Sequence, residues 1–158
     1  MSERILIPLD GSKLSETALH YVEGLVSRLA LAAKMEVTLF HVVTELKHDI
    51  HISGGGAGSI TVPYSEEELE KMKNDAMKYL DKFGENLKSK GATVVSKVAT
   101  GQNPADEIIK IEQEVNADLV VMSTHGRAGI SRWAFGSVTD KVLRGGKLPV
   151  LMVRAAKE

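Results

Sequence analysis

The sequence predicts an α/β fold, a five-stranded parallel sheet with helices on both faces. Three observations predict it. Short apolar runs recur five times along the 158 residues. Each successive pair is separated by a stretch carrying an apolar stripe at helical spacing. The runs themselves barely alternate, which marks strands buried on both faces rather than half-solvated ones. Alternation of this kind, joined by right-handed crossovers, closes into one parallel sheet.

Taken in order, Arg4 to Leu9 is the first run, stopping at Asp10-Gly11-Ser12. Ser12 or Ser15 can cap the helix that follows, whose stripe is Leu14, Ala18, Val22, Leu25, Val26, Leu29 and Ala33. Met35 to Val43 is a second strand, rich in β-branched and aromatic residues. From Glu45 to Pro63 periodicity dissolves, and Ser53 to Ser59 is nearly all glycine, serine and alanine, so a flexible insertion is expected over about 45–63. Ser65-Glu66-Glu67-Glu68 has capping-box spacing ahead of a stripe of Leu69, Met72, Ala76, Leu80, Phe83 and Leu87. Ala92 to Ala99 is the third strand. Asn103-Pro104 opens a helix with asparagine as its cap, buried through Ile108, Ile109, Ile111 and Val115. Ala117 to Ser123 is the most apolar strand, a helix starts near Gly136-Ser137, and Pro149 to Val153 is the fifth strand. One domain accounts for all of it.

Composition narrows the function classes. With 43% hydrophobic and 26% charged residues the chain is ordinary globular material. A formal net charge of −1 offers no overall attraction to nucleic acid or acidic membranes, and 4% aromatics is thin for base stacking. The absence of cysteine removes disulfides, thiolate metal sites and cysteine nucleophiles. The first eight residues hold one basic residue and an apolar run too short for a signal sequence, and no run approaches a membrane span, so a cytoplasmic protein is expected.

In such a sheet, ligands bind beyond the carboxyl ends of the strands where the winding reverses. That nominates Pro8 to Ser12, His41 to Thr44, and the stretch from Met122 onward. Gly126 and Gly129 follow a buried strand, where the backbone must turn sharply or meet a ligand closely. Gly136-Ser137 precedes an apolar helix whose free amides and dipole favour an anion, with the Ser137 and Thr139 hydroxyls, His125 and Arg127 as further donors. The bland alternative is a long connection whose glycines only turn the chain and whose Ser137 only caps a helix. On the residues alone the two readings stand level.

Ser123-x-x-Gly126, nine residues, then Gly136-Ser137 resembles the universal stress protein signature Gly-x-x-Gly-x9-Gly-Ser/Thr. His125-Gly126-Arg127, Gly136-Ser137-Val138-Thr139, Ile7-Pro8-Leu9-Asp10-Gly11-Ser12 and Leu148 to Val153 are also similar to that family, in the same order along the whole chain. The resemblance implies a Rossmann-like fold of the adenine nucleotide alpha hydrolase kind and binding of ATP, or of ADP or AMP. Gly126, Gly136, Ser137, Val138 and Thr139 would cradle phosphates and ribose, with Ser123, His125 and Arg127 beside them. Val42, Leu9 and Asp10 would lie on the adenosine side, with Pro8 and Met122 lining the cleft. It also implies a homodimer through the C-terminal strand (149–153) and a sensor or switch role with an unidentified protein partner. Ser123 stands where the first glycine is usual. If the backbone there needs glycine torsions, binding is weakened; if only close approach to ribose matters, serine is tolerated.

Other candidates carry less. Asp10 can orient a nucleotide or its Mg²⁺, or simply cap the first helix. Asp106 and Glu107 read as first-turn acids of a helix. Neither Gly54-x-Gly56 nor Gly145-Gly146-Lys147 meets a Walker or dinucleotide pattern. His48 and His51 lack a third ligand nearby, and no general base has a defensible position, so any ATP hydrolysis is expected to be slow. A slow ATPase and a nucleotide-free dimeric interaction protein are the alternative functions.

Overall fold

The computed structural model describes residues 2–29, 32–44, 47–52, 58–124 and 136–155, with backbone only at 50–52 and 58. Chain order is β1 (Ser2–Pro8), α1 (Lys13–Leu29), β2 (Lys34–Val43), β3 (Lys47–Ile52), β4 (Gly58–Pro63), α2 (Glu66–Ser89), β5 (Thr93–Thr100), α3 (Pro104–Glu114), β6 (Leu119–Thr124), α4 (Ser137–Gly145) and β7 (Val150–Arg154). Five strands form one parallel sheet in the order β5-β2-β1-β6-β7. Winding runs outward from β1 to β5, then returns to β6 and continues to β7, so the reversal lies between β1 and β6.

Alternate strand residues feed two cores. Ile5, Ile7, Val37, Leu39 and Val121 pack under α1 and α2 against Leu19, Val22, Val26, Leu80 and Leu87. Leu6, Phe40, Val120 and Met122 pack on the other face against Ala105, Ile108, Ile111 and Val142 of α3 and α4. This two-sided burial is why the strands read as unbroken apolar runs.

Helix starts follow the local chemistry. Ser12 caps α1, its Oγ accepting the Ser15 amide at 3.1 Å. The capping box of α2 is complete, with Ser65 and Glu68 exchanging bonds of 3.2 and 2.8 Å. At α3, Pro104 takes the first helical position, but the Asn103 side chain makes no capping bond. The stripe of α3 also departs from expectation, because Glu112 is buried while Ile109 is only half-buried.

The stretch from Lys47 to Pro63 differs most from the reading of the sequence. Within the insertion expected to be flexible, Lys47–Ile52 and Gly58–Pro63 form antiparallel strands β3 and β4, pairing Lys47 with Pro63 and Ile52 with Gly58, while residues 45–46 and 53–57 of it lie outside the described residues. Alternation carries it: His48 shares one face with Ile60 and Val62, while Lys47, Asp49, Thr61 and Ser59 share the other. At its base His48 packs against Tyr64 with ring centroids 4.5 Å apart. His51 lies at a position whose side chain is outside the described set.

Candidate functional site

Beyond the carboxyl ends of β1, β2 and β6 lies a cleft of about 770 Å³, within the range of a small-molecule site. It sits at the winding reversal, where this architecture places ligands. Pro8, Leu9, Asp10, Val42, Met122, Ser123, Gly136, Ser137, Val138 and Thr139 all line it. His125, Gly126 and Arg127, together with Gly129, lie outside the described residues.

One end of the cleft is the start of α4. Gly136 occupies the cap position with extended backbone and no side-chain capping bond. The first intrahelical bond runs from the Asp140 amide to the Gly136 carbonyl at 2.9 Å. The amides of Ser137, Val138 and Thr139 therefore precede the helical ladder and have no acceptor within it. They add to the positive end of the helix dipole, which suits an anion. Ser137 is the first helical residue rather than the cap, so its hydroxyl is not consumed in capping. A Cβ built on Gly136 meets nothing within 4 Å among the described residues. Asp106, expected only as a first-turn acid of α3, also pairs with Lys141 at 2.9 Å and ties α3 to α4.

The other end is the exit of β2. Backbone groups on a strand point alternately to its two neighbours. The Phe40 carbonyl accepts the Leu9 amide on the β1 side at 2.8 Å, and the Val43 carbonyl accepts the Gly101 amide on the β5 side at 3.1 Å. By this alternation the Val42 N–H and C=O turn toward β1. The β1–β2 register ends at Pro8 opposite Phe40, so these two groups emerge past the last rung, into the cleft. They present one donor and one acceptor side by side.

Between the ends runs a connected set of hydrogen bonds at the β1 exit. Asp10 Oδ1 accepts the Ser12 amide at 2.9 Å and the Ser12 hydroxyl at 2.6 Å. Burial pushes the Asp10 carboxyl up, but these bonds, joined by one from Ser15, outweigh it and hold the group below the usual carboxylate range. Both roles foreseen for Asp10 are thus compatible with its position: it caps the turn and also faces the cleft. Ser123 does not project freely either. Its Oγ accepts the Ala18 amide at 2.8 Å and donates to the Ser15 carbonyl at 3.4 Å.

Several cleft residues escaped sequence reasoning. Met72, Asp75, Ala76 and Tyr79 form one face of α2 along the wall, where their spacing signals only a helix. His41 Nδ1 lies 2.8 Å from the Leu9 carbonyl, which fixes a proton on that nitrogen. Tyr79 stands edge-on to His41 at 6.4 Å and donates to Glu16 at 3.3 Å. Burial first, and the nearby Glu16 carboxylate second, push the Tyr79 phenol up to about 12. Among the described residues no group of three or more metal-ligating side chains occurs, and no helix is long and apolar enough to cross a membrane.

The model of the universal stress protein family matches residues 1–154. Universal stress protein MJ0577 of Methanocaldococcus jannaschii is 29% identical over 160 residues, covering 98% of this chain and 96% of that protein. Its solved structure superposes with a TM-score of 0.71 at 26% identity, covering 99% and 98% of the two chains. An Archaeoglobus fulgidus universal stress protein in complex with dAMP superposes at 0.57 with 17% identity, covering 96% and 97%. Another family member, in complex with cAMP, superposes at 0.53 with 20% identity over 98% of each chain. The last two likenesses show the shared fold.

Proposed function

Because this chain belongs to the universal stress protein family, we propose that it binds ATP, or ADP or AMP, as a nucleotide-dependent sensor or switch of the stress response. One observation carries the reading. The amides at the start of α4, which have no acceptor in the helical ladder, and the emergent Val42 backbone pair open onto one cleft. Phosphates suit the first end, through charge and dipole. Adenine suits the second, since its exocyclic amine and ring nitrogen offer the donor and acceptor that the Val42 C=O and N–H complement. Pro8 and Met122 supply apolar walls between, and Ser123, Asp10 and Leu9 shape the floor. His125, Gly126 and Arg127 belong to the same site by the family signature. The dAMP and cAMP complexes of related proteins support an adenine nucleotide as the ligand class.

Mg²⁺, where it accompanies the nucleotide, would be held chiefly by phosphate oxygens and water, with Asp10 and Asp75 the carboxylates lining the cleft. Binding rather than turnover is the activity proposed for the cleft. Of the titratable groups lining it, Asp10 is held low by its bonds from Ser12, His41 gives its Nδ1 proton to the Leu9 carbonyl and keeps Nε2 as an acceptor, and Asp75 lies on the α2 wall. His41 Nε2 and Asp75 are the candidate bases should hydrolysis occur, and phosphate release, expected to be slow, reads it. The protein works as one cytoplasmic domain and pairs as a homodimer along β7, the apolar edge of the sheet.

Mass spectrometry of small molecules released from the purified protein, with calorimetry of ATP, ADP and AMP, tests the reading. Co-purified adenine nucleotide or a saturable heat is expected, with phosphate release far slower than dissociation. No nucleotide and no heat in the presence of Mg²⁺ would move the chain to the nucleotide-free interaction proteins of its family. Rapid phosphate release would make it an ATPase.

A further inference from the structure

We propose that Ser123 is a positioning residue of the nucleotide site, tethering the β6 exit to the first turns of α1; the inference rests on the nucleotide reading above. The family signature quoted above has glycine at this place, where this chain has serine. Ser123 pairs with Val153 in the β6–β7 register and is followed by Thr124, the last residue of β6. Everything the signature contributes after that point hangs from the β6 exit. A glycine there would remove the bonds that Ser123 makes from the exit to α1.

The serine hydroxyl adds a hold of a different kind. It takes the Ala18 amide at 2.8 Å and gives its proton toward the Ser15 carbonyl at 3.4 Å, so both its donor and acceptor capacity go to α1. Ser15 is itself bonded into the β1 exit. Its Oγ donates to the Ser12 carbonyl at 2.9 Å and accepts the Asp10 amide at 3.4 Å, and Ser12 closes onto Asp10 Oδ1. The chain Asp10–Ser12–Ser15–Ser123 therefore joins the two strand exits that flank the winding reversal. Both exits are walls of the cleft. Holding them at fixed separation removes freedom that a nucleotide would otherwise have to restrict on binding. Because the hydroxyl both accepts from and donates to α1, it adds no unsatisfied donor to the cleft, so serine at this position need not cost affinity. It supplies preorganisation where glycine would supply clearance.

The two views predict opposite outcomes for one substitution. If serine is only a tolerated replacement, Ser123→Gly restores the family residue and tightens nucleotide binding. If serine is a tether, Ser123→Gly and Ser123→Ala both weaken binding, by roughly three- to tenfold for the loss of a pair of hydrogen bonds. The experiment is ATP calorimetry on wild type, Ser123→Ala, Ser123→Gly and Ser123→Thr, with thermal melts and amide exchange at Ala18 on the same proteins. Expected are weaker binding in the alanine and glycine variants, faster Ala18 exchange in both, and recovery of both readouts in Ser123→Thr, which keeps the hydroxyl. Wild-type or tighter affinity in Ser123→Gly overturns the proposal. So does a lowered melting temperature with unchanged affinity, which would make the tether purely structural. Absence of ATP binding by the wild type itself refutes the nucleotide reading, and the positioning role falls with it.

Discussion

Placing a carboxylate at Gly136 should raise stability and remove nucleotide binding at once. Gly136 caps α4 with φ −56° and ψ 152°, a conformation any residue adopts, and a Cβ there has nothing within 4 Å among the described residues. Asp in Gly136→Asp is therefore accommodated without strain and becomes a capping side chain. Its charge at the positive helix end contributes about 0.3–1 kcal/mol. For a chain of this size that is a rise in melting temperature of roughly 1–4 °C. The same carboxylate reaches the amides a phosphate would use. At a separation of about 6 Å and an effective dielectric of about 20, two unit charges repel by about 3 kcal/mol, and salt trims this toward half. Affinity for ATP should fall roughly ten- to hundredfold, while Gly136→Ala, which adds no charge, should fall far less. Differential scanning calorimetry and isothermal titration on the three proteins read both quantities. A variant that melts higher yet binds ATP as the wild type does would refute the placement of phosphate at α4, whatever the protein binds elsewhere.

Three further outcomes are expected. Gly146→Ala should cost about 1–3 kcal/mol by denaturant unfolding, because its Cβ would lie 2.7 Å from the Val142 carbonyl oxygen and 2.9 Å from Glu112 Oε1. Glu112 is 2% exposed with Oε1 unpartnered, and burial raises its carboxyl pKa despite a bond from the Lys147 amide. Its contribution is thus fully present at acid pH and lost as pH rises through the raised value. Glu112→Gln should match wild type near pH ~4 and exceed it by about 1–3 kcal/mol near pH ~8, and parallel melts at the two pH values would expose a missing crossover. On β7, the bond between the Val120 amide and the Pro149 carbonyl, and that between the Ala155 amide and the Thr124 carbonyl, fix odd-numbered residues inward. The Met152 amide points outward, so Met152→Pro should yield a monomer while sparing the β6 rungs; an unchanged mass by light scattering would argue against pairing along this edge.

The sheet was legible because two-sided burial leaves a plain mark, unbroken apolar runs bounded by turn residues. The hairpin was not. Its alternation spans only a few residues per arm, and the glycines between the arms made composition look like disorder. Read strictly by parity, Ile50, Ile52, Ile60 and Val62 were the available signal. Glu112 was illegible for a different reason, since a glutamate in a helix of good helix formers reads as solvated until the C-terminal turn of α4 is laid over it. At the site, residue identities pointed to the cleft, but directions did not. Nothing in the string shows that Ser123 turns to α1, that Val42 emerges past the last rung of β1, or that α2 supplies a wall. Those facts depend on where strands end relative to their neighbours.

The position of β1 bears on how the protein is made. This strand is synthesised early yet lies third of five, flanked by β2 and β6. Its β6 side is sealed by Arg4 and Asp118: the Asp118 amide donates to the Arg4 carbonyl at 2.8 Å, and the Asp118 carboxylate accepts the Arg4 amide at 3.0 Å and a two-pronged ion pair from its guanidinium at 2.9 and 3.0 Å, across 114 residues of chain. Until β6 leaves the ribosome, β1 can pair only with β2, and one of its long edges stays open. Contacts of such sequence separation form late and slowly. A nascent chain halted before Asp118 would therefore present an unpaired, apolar central edge, the form most prone to associate with other chains, and release past that residue is the step that closes it.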